Sequence, residues 1–241
     1  GSLERVLGLV ERSLLRTWEP PGLHGERWLG FYETIRAVAR ERFGAHPDAG
    51  RMRRRHAQYF VGRGEALADL VARGGDRMAT ARLALSQDDL TGAAEALFES
   101  GSSALAARAV LALSPLLAVQ GRYETLPALQ PRVLADLPPE KEILRADLLA
   151  RSAIVSTVLG KREEAATALR SAIELARQDG DEAREGRFLR ELGRSLSGAP
   201  EDSAAYVDRA IVLSSRAGDT TPLGIAHATK GVSENQAGRA D

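Results

Sequence analysis

The side chains that most often carry catalysis or metal binding are few and scattered in this sequence. There is no cysteine, which excludes thiolate metal sites and thiol nucleophiles. Gly160-Lys161 lacks the upstream glycine and the following Ser or Thr of a phosphate-binding loop, and no serine stands in a Gly-x-Ser-x-Gly elbow. No histidine has a second histidine four residues away, the spacing of a helical metal site; the histidines are His24, His46, His56 and His227. The sequence therefore predicts a chain that is not itself an enzyme and that binds no cofactor or metal.

Three arginines carry the clearest binding signal. Arg187, Arg190 and Arg194 are spaced i, i+3 and i+7, which puts them on one face of a helix whose other face carries leucines. Guanidinium groups fit carboxylates and phosphates, so we expect this face to line a partner-binding groove, with Asn235 in register on the next equivalent helix. The other interpretation is that the three arginines form ion pairs with acidic residues of neighbouring helices.

A second basic feature lies near the N-terminus, where Arg51 is followed by Arg53, Arg54 and Arg55. Because these residues are nearly consecutive, a helix would spread them around its axis rather than align them on one face. Three interpretations remain open: docking on another domain, contact with nucleic-acid phosphates, or a solvated surface.

Composition favours helices and gives no sign of a membrane or nucleic-acid partner. The 241 residues are 44% apolar and carry 33 Lys+Arg against 33 Asp+Glu, so the formal net charge is zero. This balance creates no general attraction to polyanions, and the longest uncharged apolar run is well short of the roughly 20 residues of a membrane span. Ala, Leu, Arg and Glu dominate after residue 48, and these residues favour helices. We expect an all-α fold from about residue 48 onward.

The helical pattern repeats. Residues 172–175 lead to Gly180, and 38 residues later residues 210–213 lead to Gly218. A period in the high thirties is typical of a solenoid of helical hairpins. Small residues are expected where two helices cross closely, at Ala153, Gly193 and Gly231. The polar break at residues 160–162 is expected to be the turn inside one hairpin.

The N-terminal residues follow a different order. Residues 3–15 have a helical apolar pattern, and strand-like pieces at 14–18 and 27–31 flank a link whose Pro and Gly cannot continue a helix. Further helices are expected at 33–43 and from Asp48 to about Ala72, with Pro47 at the start of the second. Helix, β-hairpin and helix in this order form a winged-helix pattern.

Two resemblances follow from these motifs. Residues 142–241 resemble degenerate tetratricopeptide repeats, on the skeleton of small residues at Ala153, Gly160, Ala165 and Ala172; in the second copy Ser203 replaces the usual alanine. The segments at 9–15 (LVERSLL), 32–36 (YETIR) and 54–60 (RRHAQYF) resemble the junction between winged helix and repeats in bacterial multidomain signal-transduction ATPases, which include large transcriptional regulators.

The resemblance implies an all-α, tetratricopeptide-like superhelix preceded by a winged-helix-like segment with a β-hairpin. The implied domains are 1–47 (Gly1-Ser2 being a tag remnant), a helical linker with degenerate hairpins at 48–140, and truncated repeats at 141–241. It also implies a cytoplasmic parent protein with an ATPase core upstream. The expected function is a non-catalytic interaction and sensor region that binds a partner or ligand in the repeat groove and controls the upstream ATPase core. The expected partner is a protein or peptide, or the parent's own ATPase core. The alternative is a DNA-contacting module acting through the basic segment. The helix at 48–72 is expected to couple the two regions.

Overall fold

The protein is mostly helical, as the sequence predicts. The computed structural model describes residues 2–74, 76–121, 129–196 and 200–216, which form eleven helices and one two-stranded antiparallel sheet. In chain order these are α1 Ser2–Glu11, β1 Leu15–Trp18, β2 Trp28–Phe31, α2 Glu33–Gly44, α3 Ala49–Gly74, α4 Arg77–Leu85, α5 Gln87–Glu99, α6 Ser103–Gln120, α7 Leu129–Ala135, α8 Glu142–Val158, α9 Arg162–Asp179, α10 Glu182–Ser195 and α11 Pro200–Arg216. Gly218, Gly231, His227 and Asn235 lie outside the described residues.

The predicted β-hairpin is present, and its strands begin within one residue of the expected positions. Leu15 pairs with Phe31 and Trp18 with Trp28, so the two tryptophans lie opposite each other. Gly30 allows Trp18 to pack across the sheet, because a Cβ at this position would lie 2.9 Å from Trp18 Cζ3. Helix α1 ends at Glu11 rather than at residue 15, since Ser13 adopts a left-handed φ of 56° and turns the chain into β1.

The C-terminal helices form the predicted hairpins. Helix α8 packs against α9, and α10 packs against α11. The turn between α8 and α9 lies at Gly160, whose φ of 78° is readily adopted by glycine. Helix α10 begins at its capping residue Asp181, whose side chain accepts a hydrogen bond from the backbone N–H of Arg184 at 2.9 Å. Close crossing at Gly193 is confirmed, because a Cβ there would lie 2.7 Å from Val207 Cγ2 and 3.2 Å from the carbonyl oxygen of Ser203.

The apolar core consists of two clusters that meet at α8. The first extends from α3 to α8, and its largest fully buried side chains include Leu83, Leu90, Leu97, Leu113 and Leu116. The second extends from α8 to α11 and is built around Leu169, Phe188, Leu192 and Leu213. Leu148 belongs to the first cluster, whereas Ala146, Ala150 and Ala153 of the same helix belong to the second. Helix α8 therefore connects the two cores.

Helix α6 is the most apolar helix of the first core. Among the described residues it is the one helix that has the length and composition to cross a membrane, and half of that stretch is buried inside the protein. It packs against α3, α5 and α8. Its apolar composition therefore has a structural use as the central helix of a core.

Candidate partner-binding groove

Four helices line a groove on one side of the helical array. One face each of α3, α6, α8 and α10 surrounds a volume of about 870 Å³. These helices lie side by side, because α3 packs on α6, α6 on α8, and α8 on α10. Ligand pockets usually measure about 300–1,000 Å³. The groove is therefore large enough to hold a small molecule or a short stretch of another polypeptide.

The middle of the groove is apolar. Helix α6 contributes Leu111, Pro115 and Ala118, and α8 contributes Leu144 and Ile154. Pro115 lies inside α6 and has no backbone N–H, so the carbonyl of Leu111 lacks its usual helical donor. This surface can bury apolar side chains of a partner.

At one side of the groove, an ion pair joins α3 to α6. The Arg108 guanidinium donates from Nε to Glu65 Oε1 and from Nη2 to Glu65 Oε2, both at 2.6 Å. This parallel geometry is the strongest that arginine makes with a carboxylate. The hydrogen bonds with Glu65 raise the pKa of Arg108 above its ordinary value.

At the opposite side, Asp147 of α8 holds two arginines of α10. Arg184 Nε lies 3.2 Å from both carboxylate oxygens, and Arg187 Nη2 donates to Oδ1 at 2.9 Å. Arg184 also donates from Nη1 to Asp181. Burial opposes the charge of Asp181, but the backbone and side-chain hydrogen bonds from Arg184 outweigh it and lower the pKa of this carboxyl. Burial likewise opposes the charge of Arg184, but the nearby carboxylates, first Asp147, raise its pKa.

The structure places the three predicted arginines on the expected face of α10, and each has an acidic partner. Arg187 pairs with Asp147 across the helices, while Arg190 and Arg194 pair with Glu191 of their own helix at 3.1 and 2.6 Å. Arg187 alone makes the pair with a neighbouring helix that the ion-pair interpretation expects, since the partner of Arg190 and Arg194 lies in α10 itself. Arg187 and Arg190 nevertheless also line the groove, whereas Arg194 is not among its lining residues.

Seven charged groove residues escaped the sequence analysis: Glu65, Asp69, Arg108, Asp147, Arg151, Arg184 and Glu191. Two signals could have found three of them. Arg184 extends the i, i+3 series of Arg187 and Arg190 by one step, and Asp147 and Arg151 are four residues apart on α8. With these residues included, the α8–α10 side of the groove carries the guanidiniums of Arg151, Arg184, Arg187 and Arg190 against the carboxylates of Asp147 and Glu191.

The four arginines of the basic segment lie on the first turns of α3 and are exposed. Arg51 pairs with Asp48 at 3.1 Å, and the Arg53 guanidinium lies 5.5 Å from the centre of the Phe43 ring. Arg54 and Arg55 have no ion pair or ring contact with the described residues. The structure therefore leaves two of the four arginines available to a partner.

The described residues contain no group of three His, Asp or Glu side chains placed to hold a metal ion. No protein-family model matches the chain, and the search of curated proteins finds no significant match either.

Proposed function

We propose that the helical array is a non-catalytic interaction region that binds a segment of a partner protein in the groove between α3, α6, α8 and α10. In this proposal it is the sensor arm of a larger cytoplasmic signal-transduction ATPase or transcriptional regulator, as the sequence resemblance implies. The observation that carries the proposal is the groove itself, in which four helices each present one face to a shared volume with an apolar middle and charged sides.

The charges favour a partner that carries carboxylates next to apolar side chains. On the α8–α10 side, Arg187 lines the groove and its side chain is 46% exposed. Arg187 spends one N–H donor on Asp147 in the described contacts, and a guanidinium has five donors. A carboxylate of the partner can therefore bind Arg187 without displacing Asp147. The apolar side chains beside that carboxylate would cover Leu111, Pro115, Leu144 and Ile154.

Peptide display tests this proposal. Short random peptides are selected for binding to the protein, and the affinity of the selected, labelled peptides is measured by fluorescence anisotropy. We expect the selected peptides to combine Asp or Glu with apolar residues. Arg187→Ala should lower the affinity for these peptides about tenfold, which corresponds to the loss of one charge-assisted hydrogen bond. Arg170→Ala, on the exposed face of α9, is the matched control and should bind like the wild type.

Two results would contradict the proposal: equal affinity for Arg187→Ala and the wild type, or no enrichment of any peptide. Replacing Arg187, Arg190 and Arg194 together is a harsher test in the full-length parent, where it should weaken activation by the partner. The triple change also leaves Glu191 without its arginines, because both Arg190 and Arg194 pair with it. The single change at Arg187 is therefore easier to interpret.

The basic segment supports a second candidate function, contact with nucleic acid. Its basis is the exposure of Arg54 and Arg55 without acidic partners among the described residues. Helix α2, which precedes α3 in the chain, adds the exposed Arg40 and Arg42. A mobility shift with mixed duplex DNA at increasing salt tests it, since phosphate contacts give binding that falls steeply with salt. Arg54→Ala with Arg55→Ala should reduce such binding; no shift at low salt would reject this candidate.

A further inference from the structure

The loop between β1 and β2 buries an apolar side chain between residues that are exposed. Leu23 at its centre is fully buried, with 0% of its surface exposed. The loop is closed by its own hydrogen bonds, from Leu23 N to Pro20 O and from Glu26 N to Leu23 O, both 3.1 Å long.

Charged and aromatic contacts join this loop to the helical array. Arg82 of α4 donates from Nε to Glu26 Oε1 at 3.0 Å, and its Nη2 donates to the same oxygen. Glu26 Oε2 accepts from the indole N–H of Trp28 at 3.3 Å, and the guanidinium of Arg63 on α3 lies 5.8 Å from the Trp28 ring centre. The hydrogen bond from Arg82 lowers the pKa of Glu26, which keeps the carboxylate charged.

The remainder of the N-terminal segment, residues 2–44, is buried much less. Helix α2 has no buried residue, and Leu3 and Leu7 of α1 are 71% and 51% exposed. Leu23 is the most buried side chain of these residues. The contacts of Glu26 with Arg82 and of Trp28 with Arg63 attach the segment to α4 and α3, alongside the contact between Phe43 and Arg53.

Helix α3 connects this attachment to the groove through three consecutive residues. Successive side chains on a helix point about 100° apart. Arg63 meets Trp28 of the hairpin, and Glu65 pairs with Arg108 in the groove. Gly64 between them lies against the core, where a Cβ would be 2.8 Å from Leu90 Cδ2 and 3.3 Å from Ala112 Cβ. Such close packing leaves α3 little freedom to deform locally, so a displacement at Glu65 is carried to Arg63.

We propose that the hairpin loop is a latch that holds residues 2–44 on α3 and α4, and that a partner binding Arg108 in the groove releases it through α3. The coupling rests on the proposed function of the groove. A partner carboxylate that takes the donors of Arg108 leaves Glu65 without its ion pair. The partner therefore binds best to the form of the protein in which α3 has shifted. By linkage, a partner that opens the latch binds more tightly when the latch is already open.

The two tryptophans of the chain, Trp18 and Trp28, are both in the hairpin, so intrinsic fluorescence reports on the latch alone. We expect Arg82→Gln to raise the acrylamide quenching of this fluorescence a few-fold, in keeping with loss of a surface ion pair. Arg82→Lys should restore most of the protection because it keeps the charge. Arg77→Gln, an exposed arginine on the same helix, is the matched control and should behave like the wild type.

The coupling is tested by Arg108→Gln, with Arg170→Gln as its control. Loss of the pair with Glu65 should raise tryptophan quenching although Arg108 is remote from both tryptophans in sequence. Far-UV circular dichroism confirms that each variant is folded; if Arg108→Gln is not, Glu65→Gln replaces it, because it removes the charge of the other partner of the same pair.

Equal quenching in Arg82→Gln and Arg77→Gln would overturn the latch, and equal quenching in Arg108→Gln and Arg170→Gln would overturn the coupling. No peptide enters these measurements, so their failure is distinguishable from failure of the peptide selection.

Discussion

At the scale of single residues, Asp147 organises the basic side of the groove. Its side chain is 17% exposed and accepts hydrogen bonds from Arg184 and Arg187, which reach it from another helix. A mostly buried carboxylate between two guanidiniums holds both of them in place, which reduces the conformational entropy that is lost when a ligand binds. Asp147 therefore shapes the surface that a partner meets and also joins α8 to α10.

Asp147→Asn removes the charge but keeps the size of the side chain. We expect the free energy of unfolding to fall by about 1–3 kcal/mol, the range for hydrogen bonds between charged groups that leave a partly buried partner behind. Urea unfolding followed by circular dichroism measures this change. Glu174→Gln is the control, because that carboxylate is 54% exposed on α9 and its loss should cost less than about 0.5 kcal/mol. Equal losses in the two variants would show that Asp147 is an ordinary surface residue.

At the scale of elements, local patterns predicted the helices well but not the contacts between them. The turn at Gly160 and the arginine face of α10 follow from residues close in sequence, as do the bounds of α2 and α3. Glu65 and Arg108 are 43 residues apart, and Asp147 and Arg184 are 37 apart. Such pairs depend on how helices lie side by side, which periodicity within one helix does not encode. Leu23 was missed because it stands in a Pro- and Gly-rich link that reads as a solvent-exposed turn.

The crossing of α10 and α11 at Gly193 gives a prediction at this scale. Gly193→Ala should destabilise the protein by about 1–3 kcal/mol, because the new methyl group overlaps Val207 and crowds the Ser203 backbone. Gly92→Ala in α5 is the matched control, since nothing lies within 4 Å of a Cβ there. It should stabilise the protein by about 0.5–1 kcal/mol through helix propensity. Thermal unfolding of both variants measures these changes. If the two midpoint temperatures shift in the same direction, this account of the crossing is wrong.

At the scale of the whole molecule, the two cores are joined through one helix. Here the first core extends from α3 to α8 and the second from α8 to α11. The groove crosses the boundary between them, because α3 and α6 belong to the first core and α10 to the second. A partner that occupies the groove therefore contacts both cores at once.

Leu192→Ala tests whether the cores open separately. Leu192 is fully buried in the second core, and its truncation should cost about 2–5 kcal/mol. Hydrogen exchange should then accelerate in α9, α10 and α11, while α3, α5 and α6 keep their protection, because a local loss lowers the free energy of opening for the unit that contains it. Leu83→Ala, fully buried in the first core, should give the opposite pattern. Uniform acceleration in both variants would mean that α8 couples the cores into one cooperative unit, and groove binding would then stabilise the whole array equally.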